Sequence, residues 1–316
     1  MTRFGLMLPT EEHAPRSLVD FAVRAEEAGF DYLCISDHFH PWTKQQGHSP
    51  FVWSVLGGIA SATDSIHIGT AVTCPTIRMH PAIIAQAAAT AAAMMPGRFF
   101  LGLGSGENLN EHITGEPWPP PASRTDMLEE AIQVIRELWA GDEVSMEGAY
   151  YTVNRATLFT LPPEPPPIVV AAASPVSIRI AAANDGLITT SPEAAMIETF
   201  DEAGGQGKPR YAQVGLCWDE DATRAVEIAH RQWPIAALPW NVKTDVATPD
   251  GFESIAELVR PEDIAEAIPC GPDLDIIRES IRSATAAGFD HITLHQIGPR
   301  LGDFIDLFER ELAPSL

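Results

Sequence analysis

The sequence has few cysteines and no long apolar run. Its four cysteines are scattered over 316 residues, at Cys34, Cys74, Cys217 and Cys270. They form no C-x-x-C pair and lack metal-ligand spacing, which argues against a disulfide framework or a structural metal site and favours reduced thiols. No stretch of about 18 apolar residues is present, so no membrane-spanning helix is expected. The first ten residues lack the apolar core of a secretory signal, and we therefore expect a cytoplasmic protein.

Basic residues are also scarce. The chain has 20 lysines and arginines against 43 aspartates and glutamates, and its formal net charge is −23 at pH 7. A field of this sign repels phosphate backbones and anionic lipids. We therefore expect no nucleic-acid or membrane partner and a small molecule as the ligand. An anionic ligand would have to be held by a few local donors, because the overall field would repel it.

Apolar, strand-like runs alternate with amphipathic, helix-like segments along the whole chain. Eight such runs lie at 3–8, 30–36, 66–73, 98–105, 167–173, 185–191, 212–218 and 291–297. Eight strands, each followed by a helix, are the count of an α/β fold of the (β/α)8 TIM-barrel type. A doubly wound open sheet is the alternative, because local sequence does not show closure. We predict one domain over 1–316, with a lid-like insertion at roughly 219–270, where prolines and tryptophans are frequent.

Two polar stretches follow predicted strands of this barrel. SDHFHPW, residues 36–42, follows the second strand, and GSGENLN, residues 104–110, follows the fourth. Active sites of such barrels lie at the C-terminal ends of the strands, so His38 and Glu107 form a candidate acid/base pair. The sequence has no dinucleotide-binding glycine motif with its ribose-binding acid, no G-x-S-x-G and no H-E-x-x-H. The residues by themselves therefore indicate an α/β enzyme with an acid/base site.

Several longer stretches resemble a known family. They are SDHFHPW, AVTCPTIRMHPAIIAQAAAT, PGRFFLGLGSGENLNEHITGEPWPP and DGLITTSP. Together they resemble the luciferase-like flavin and deazaflavin oxidoreductase superfamily, and within it the branch named for F420-dependent glucose-6-phosphate dehydrogenase. The resemblance implies a barrel that binds coenzyme F420, an 8-hydroxy-5-deazaflavin, across its strand ends. It also implies hydride transfer between a substrate alcohol and C5 of that ring.

The resemblance also implies roles for individual residues. His38 matches the base that takes the hydroxyl proton, Trp42 an aromatic that stabilises the reacting state, and Glu107 the acid that protonates the reduced ring. A non-proline cis peptide is implied near Ala71 and Val72. The remaining positions match contacts to the coenzyme, and Cys74 stands where the family has threonine; they are Asp37, Cys74, Asn110, Ala173, Ser174, Val176 and Ser177.

The implied substrate-phosphate site departs from the family pattern. Thr190 and Lys243 match two of its residues, but a carboxylate, Glu193, stands where a lysine is implied. No basic residue stands at the implied arginine position, near Glu266. A carboxylate beside a phosphate dianion repels it. We therefore expect a neutral alcohol, hemiacetal or sugar as substrate in preference to glucose 6-phosphate, with Trp218, Trp233 and Trp240 as candidate pocket walls.

Other functions remain open at this stage. An FMN-dependent monooxygenase is the main alternative, as elsewhere in the superfamily. A non-catalytic coenzyme-binding protein and a redox-neutral epimerase are further alternatives. The resemblance also implies a homodimer formed through helices near the second and third strands, where the alanine-rich run IIAQAAATAAAMM at 83–95 presents a small-residue surface.

Overall fold

Eight parallel strands close into a barrel in the computed structural model, which describes residues 2–316. Within these residues there are ten strands, β1 (Arg3–Leu8), β2 (Tyr32–Ile35), β3 (His67–Thr70), β4 (Phe99–Leu103), β5 (Val144–Glu147), β6 (Thr152–Ala156), β7 (Ile168–Ala171), β8 (Gly186–Thr189), β9 (Arg210–Leu216) and β10 (His291–Gln296). The barrel runs β1-β2-β3-β4-β7-β8-β9-β10 and closes where β10 pairs with β1. This closure confirms the predicted TIM barrel and excludes the open sheet.

Helices follow the barrel strands, and most of them cover the outside of the barrel. They are α1 (Pro15–Glu27), α2 (Val52–Ala62), α3 (Pro81–Met94), α4 (Asn108–Glu111), α5 (Pro121–Trp139), α6 (Pro175–Ala183), α7 (Ala194–Phe200), α8 (Ala222–Gln232), α9 (Trp240–Asp245), α10 (Pro249–Ala256), α11 (Pro261–Ala267), α12 (Leu274–Ala286) and α13 (Leu301–Leu307). Six of them begin with proline, whose fixed φ and missing N–H suit the first helical position. Across residues 2–316, every helix is too short or too polar to span a bilayer.

The inside of the barrel is filled by aromatic side chains. Tyr32 and Tyr211 meet edge to face at 5.4 Å, and Phe100 stacks on Tyr211 at 5.1 Å. Glycine on the neighbouring strands makes room for these rings. A Cβ at Gly5 would lie 2.3 Å from the Tyr32 ring, and one at Gly69 would lie 2.2 Å from the Phe100 ring. The interior is therefore a packed core and not a pore.

After α5, a β-hairpin that we did not predict from the sequence interrupts the alternation of barrel strands and helices. The strands β5 and β6 pair antiparallel outside the barrel. Glu130 of α5 accepts hydrogen bonds from the backbone N–H groups of Ala149, Tyr150 and Tyr151, at 2.9, 2.9 and 2.7 Å. One helix carboxylate thus holds the turn of the hairpin.

The 219–270 insertion joins β9 to α12 and contains α8 to α11. Its two ends meet at a narrow neck, where the Cys217 N–H donates to the Pro269 carbonyl at 2.8 Å and the Gly271 N–H donates to the Cys217 carbonyl at 3.0 Å. Phe252 and Ile235 of the insertion are buried in one cluster with Trp42 and Leu109 from loops at the barrel mouth. The insertion therefore packs on the mouth, and its action as a lid stays a prediction.

The carboxylate of Glu26 joins α1 to the start of β3. It accepts the backbone N–H groups of Asp64, Ser65 and Ile66, at 3.1, 2.5 and 2.8 Å, and the Ser65 hydroxyl at 2.7 Å. Burial opposes ionisation, but these hydrogen bonds favour the charged form and lower the pKa of Glu26 to about 2. The ionised carboxylate therefore stabilises the fold above the unfolded-state pKa, and this contribution is lost as the pH falls towards 2.

Replacing this carboxylate should weaken the fold in a pH-dependent way. We expect Glu26→Gln to lower the melting temperature by about 2–5 °C at pH 7. The difference from the wild type should shrink between about pH 4.5 and about pH 2, because the wild-type carboxylate becomes protonated there. Thermal unfolding followed by circular dichroism measures this. The neighbouring exposed carboxylate provides the control, Glu27→Gln. An equal loss in both variants would contradict the assignment.

Candidate active site

Three loops at the C-terminal ends of the strands bring titratable side chains together. The loop after β1 carries Glu11, the loop after β2 carries His38, and the loop after β4 carries Glu107. Because all strands of the barrel are parallel, these ends share one face. The predicted pair His38 and Glu107 is therefore brought together, and Glu11 joins it.

The His38 imidazole lies between two carboxyl groups. Its Nε2 is 3.4 Å from Glu11 Oε1 and 3.7 Å from Glu107 Oε2. Its Nδ1 is 3.1 Å from the His40 carbonyl oxygen, an acceptor, and 3.2 Å from Asn110 Nδ2, a donor. Either tautomer of the neutral ring therefore finds a partner at Nδ1, while Nε2 faces the carboxyl groups. With only 11% of its side chain exposed, the ring is held in place.

Asn110 links the two predicted acid/base residues. It stands three residues after Glu107, so the first turn of α4 puts both on one side. Its Nδ2 lies 3.2 Å from Glu107 Oε2 and 3.2 Å from His38 Nδ1. Its Oδ1 accepts the N–H groups of Phe39 and His40, at 2.9 and 3.3 Å. Asn110 thus fixes the β4 loop to the β2 loop, and a contact between Asn110 and a coenzyme stays a prediction.

The two carboxyl groups beside His38 have opposite pKa shifts. For Glu11, burial alone would raise the pKa, but His38 and the 2.5 Å hydrogen bond from the Ser36 hydroxyl lower it overall. For Glu107, burial raises the pKa more than His38 lowers it, and the Glu11 charge adds to the rise. Environments that separate two carboxyl pKa values are typical of acid and base roles. Glu11 is therefore suited to stay ionised and Glu107 to carry a proton.

Trp42 packs against the imidazole of His38. Its ring lies 5.1 Å from the His38 ring, and only 5% of the residue is exposed. It meets the Trp233 ring edge to face at 6.2 Å. Of the three candidate wall tryptophans, Trp233 alone lies at this cluster; Trp218 packs under the Arg300 guanidinium at 4.8 Å, and Trp240 is half exposed. The implied role of Trp42 in stabilising the reacting state stays a prediction.

Asp37 points away from His38 and into a buried charge network. Its Oδ1 accepts Arg78 Nη2 at 2.8 Å, and its Oδ2 accepts the Thr73 hydroxyl at 2.8 Å. Glu111 lies 3.7 Å from Arg78 Nε and accepts the backbone N–H groups of Ile77 and Arg78, at 3.1 and 2.7 Å. The network joins the loops after β2, β3 and β4. The implied contact of Asp37 with a coenzyme stays a prediction.

An apolar floor lies at the centre of the mouth. It is formed by Ala71, Val72 and Ala171, which are partly exposed above the aromatic core. The peptide bond Ala71–Val72 is cis, as the resemblance implies for this place. Cys74 is buried beside the floor, with its Sγ 3.0 Å from the Thr76 hydroxyl. These residues follow β3 and end β7, at the same end of the barrel as the loops that carry His38 and Glu107.

The other predicted coenzyme residues lie at the edge of the mouth, at the start of α6. Ser174 caps the helix by accepting the Ser177 N–H at 3.3 Å, and the Ser177 hydroxyl accepts the N–H groups of Ala173 and Ser174 at 3.1 and 3.0 Å. Ala173, Ser174 and Val176 are exposed there, and Ser177 is half-buried. The segment presents hydroxyl groups to solvent, which suits the polar chain of a coenzyme.

The two predicted substrate residues differ in their surroundings. Thr190 is exposed just after β8. Lys243 of α9 is partly buried near Glu107: burial lowers the pKa of Lys243, and the Glu107 carboxyl opposes that change. The structure therefore brings Lys243 to the acid/base group, whereas it gives Thr190 no contact with that group.

The sequence prediction did not include Glu11 or Arg78. Glu11 comes two residues after proline in PTEEHAP, directly behind the first strand. The rule that selected the second and fourth strand ends would have selected this carboxylate too. Arg78 gave no local signal, because its partners Asp37 and Glu111 are 41 and 33 positions away.

Comparisons with known proteins show the family of the chain. Residues 1–291 match the model of the luciferase-like monooxygenase family. The chain is 36% identical to a Beutenbergia cavernae protein named F420-dependent glucose-6-phosphate dehydrogenase, over 100% of this chain and 98% of that protein. A Gordonia bronchialis protein of the same name is 36% identical, with 99% and 97% covered.

A solved structure resembles the whole chain. It is an F420-dependent secondary alcohol dehydrogenase in complex with an F420–acetone adduct, with a TM-score of 0.90 and 31% identity over 98% of this chain and 97% of that one. Both the sequence and the fold are thus shared over nearly the full length. The chain belongs to the luciferase-like monooxygenase family, on the branch named for the F420-dependent glucose-6-phosphate dehydrogenases.

Proposed function

We propose that the protein is an F420-dependent oxidoreductase that acts on the CH–OH group of a neutral alcohol or sugar. The observation that carries the proposal is the placement of His38 between Glu11 and Glu107 at the C-terminal ends of the strands. The similarity to F420-dependent dehydrogenases over the whole chain supports the choice of coenzyme.

In this proposal, His38 is the base, and bound F420 supplies a ring carbon that accepts hydride. The Nε2 of His38 takes the hydroxyl proton while the carbinol C–H electrons leave as hydride, so that a carbonyl product forms. Ionised Glu11 stabilises the imidazolium that results, because it lies 3.4 Å away. Glu107 donates the proton that the reduced ring requires, and Trp42 excludes water from this side of His38.

We also propose which residues at the barrel mouth contact the coenzyme. Ala71, Val72 and Cys74 line or adjoin the floor on which the ring would lie. Asp37 and Asn110 order the loops beside it. Ala173, Ser174, Val176 and Ser177 stand at the edge of the mouth and would contact the phosphodiester side.

The charges near the mouth favour a neutral substrate. Thr190 stands close in sequence to Glu193, which caps α7, and Lys243 faces the Glu107 carboxyl. A phosphate dianion near Thr190 would meet the Glu193 carboxylate, within a protein of net charge −23. A neutral alcohol avoids this repulsion.

Coenzyme titration tests the proposal first. We expect purified protein to bind F420 more tightly than FMN, as measured by fluorescence or calorimetry. With F420 bound, secondary alcohols or sugars should bleach the oxidised coenzyme. Preference for FMN would favour a monooxygenase instead, and binding without turnover on any alcohol would favour a non-catalytic protein.

The Glu107 carboxyl should matter to turnover more than to binding. We expect Glu107→Gln to lower kcat by about 10²–10⁴-fold while F420 binding is kept. Wild-type activity should fall as the pH rises through the raised pKa of Glu107, because the protonated form is the donor. The amide of the variant cannot titrate, so this alkaline limb should disappear from its pH profile. A profile identical to the wild type would reject Glu107 as the acid.

The substrate preference should respond to the charge at position 193. We expect kcat/KM for the best neutral alcohol to exceed that for glucose 6-phosphate at least tenfold, which corresponds to about 1.4 kcal/mol. Glu193→Lys should narrow this ratio, because repulsion of the phosphate becomes attraction, whereas Glu193→Gln should narrow it less. Steady-state kinetics on both substrates measure the ratio. Comparable turnover of both by the wild type would overturn the preference.

We propose that the protein forms a homodimer, and exposed apolar side chains support this. Phe51 stands just before α2 with about half of its surface exposed, and Ile83 and Met94 of α3 are exposed to a similar degree. We expect a dimer by light scattering at micromolar concentration. Ile83→Asp should shift it towards monomer, and a monomeric wild type would contradict the assignment.

A further inference from the structure

Five buried polar atoms without hydrogen-bond partners gather at one side of the barrel mouth. They are Glu12 Oε1, His13 Nε2, Thr43 Oγ1, Gln46 Nε2 and His295 Nε2. They belong to β10 and to the loops that follow β1 and β2, which are neighbours in the barrel. Buried polar groups in folded proteins almost always have a hydrogen-bond partner. Several unpaired groups on neighbouring elements therefore indicate a binding site for a polar ligand.

The side chains of this cluster include both hydrogen-bond donors and an acceptor, and two of them lie close together. Glu12 Oε1 and His295 Nε2 face each other at 4.0 Å, too far for a direct hydrogen bond. The Gln213 amide nitrogen lies 3.0 Å from His295 Nδ1 and donates to it, which leaves the proton of the neutral ring on Nε2. The Gln46 side chain approaches the Glu12 carboxyl, and this approach opposes the rise of the Glu12 pKa.

This cluster carries little charge near neutral pH. Burial raises the pKa of Glu12 to about 8, with the Gly298 N–H opposing the rise and Glu11 adding to it. Burial lowers the pKa of His295 to about 4, although the Glu11 carboxylate opposes that change. A protonated carboxyl, a neutral imidazole and an amide match the hydroxyl group, which both donates and accepts.

The cluster adjoins the acid/base residues. Glu12 follows Glu11 in the chain, and Gln46 Oε1 accepts the backbone N–H of Trp42 at 2.8 Å. The Trp233 ring bridges the two parts: it meets Trp42 at 6.2 Å and His295 edge to face at 4.8 Å. The cluster and the acid/base residues are therefore connected through direct neighbours in the chain and through the Trp42–Trp233–His295 ring contacts.

We propose that Glu12, Gln46 and His295 form a hydroxyl-binding subsite, so that the substrate of this enzyme carries a second hydroxyl beyond the one that is oxidised. The inference rests on the proposed function, which it narrows from neutral alcohols to diols and polyols. A buried hydrogen-bonding group left unpaired disfavours a substrate that lacks its partner. The subsite therefore selects against simple secondary alcohols.

Paired substrates and variants test the subsite. The probes are butan-2-ol, butane-2,3-diol and butane-1,3-diol with the F420-loaded enzyme. We expect Glu12→Met to lower kcat/KM for the diol that the wild type prefers by about tenfold, with butan-2-ol changed less than about twofold. Glu12→Gln, which keeps hydrogen-bonding atoms, should retain the preference. The exposed neighbour Gln45→Met serves as the matched control and should also retain it.

A second measurement separates this inference from the proposed function. Ligand-observed NMR on the coenzyme-free protein should show saturation transfer to the preferred diol in the wild type and its loss in Glu12→Met. If no alcohol reduces F420 but this transfer is seen, the proposed function fails and the subsite stands. Equal kcat/KM values for butan-2-ol and the diols would overturn the inference. So would a Glu12→Met variant that only lowers the melting temperature and leaves the ratio of kcat/KM for the diol to that for butan-2-ol unchanged, because the cluster would then be a structural water site.

Discussion

The arrangement of the barrel mouth depends on one imidazole placed between two carboxyl groups with different proton affinities. Glu11 lies deeper and accepts the Ser36 hydroxyl at 2.5 Å, so its charged form is stabilised. Glu107 lies nearer the surface, and burial raises its pKa more than the His38 charge lowers it. If both were ionised, they would repel each other across His38; with one ionised, the ring has a carboxylate on one side and, in the proposed function, a proton donor on the other.

This placement requires three loops to keep their relative positions, and the chain achieves it with buried charge pairs. Along the extended chain after β2, alternate residues face opposite ways: Ser36 and His38 contact Glu11, and Asp37 contacts Arg78. In the short helix after β4, consecutive residues diverge, so that Asn110 faces His38 and Glu111 faces Arg78. Breaking a buried pair leaves an uncompensated charge, which strongly resists rearrangement of these loops.

The distribution of charge is consistent with the proposed substrate class. The net charge of −23 repels anions over the whole surface. Inside the mouth, the groups around Glu12 and His295 are neutral because burial penalises their charged forms. Neutral hydrogen-bonding groups inside the mouth are suited to a polar, uncharged substrate.

The sequence by itself determined the alternation of eight strands with helices, since period-two and helical patterns along the chain follow directly from which side chains can be buried. Closure into a barrel was decided by the tertiary structure. The sequence also placed His38 and Glu107 on one face, because a strand end is visible locally. The tertiary structure alone decided the partners: Glu11 beside His38, Arg78 between Asp37 and Glu111, and Glu12 opposite His295. These pairs join residues far apart in the chain, and only closure of the barrel sets their distances and burial, and hence their protonation.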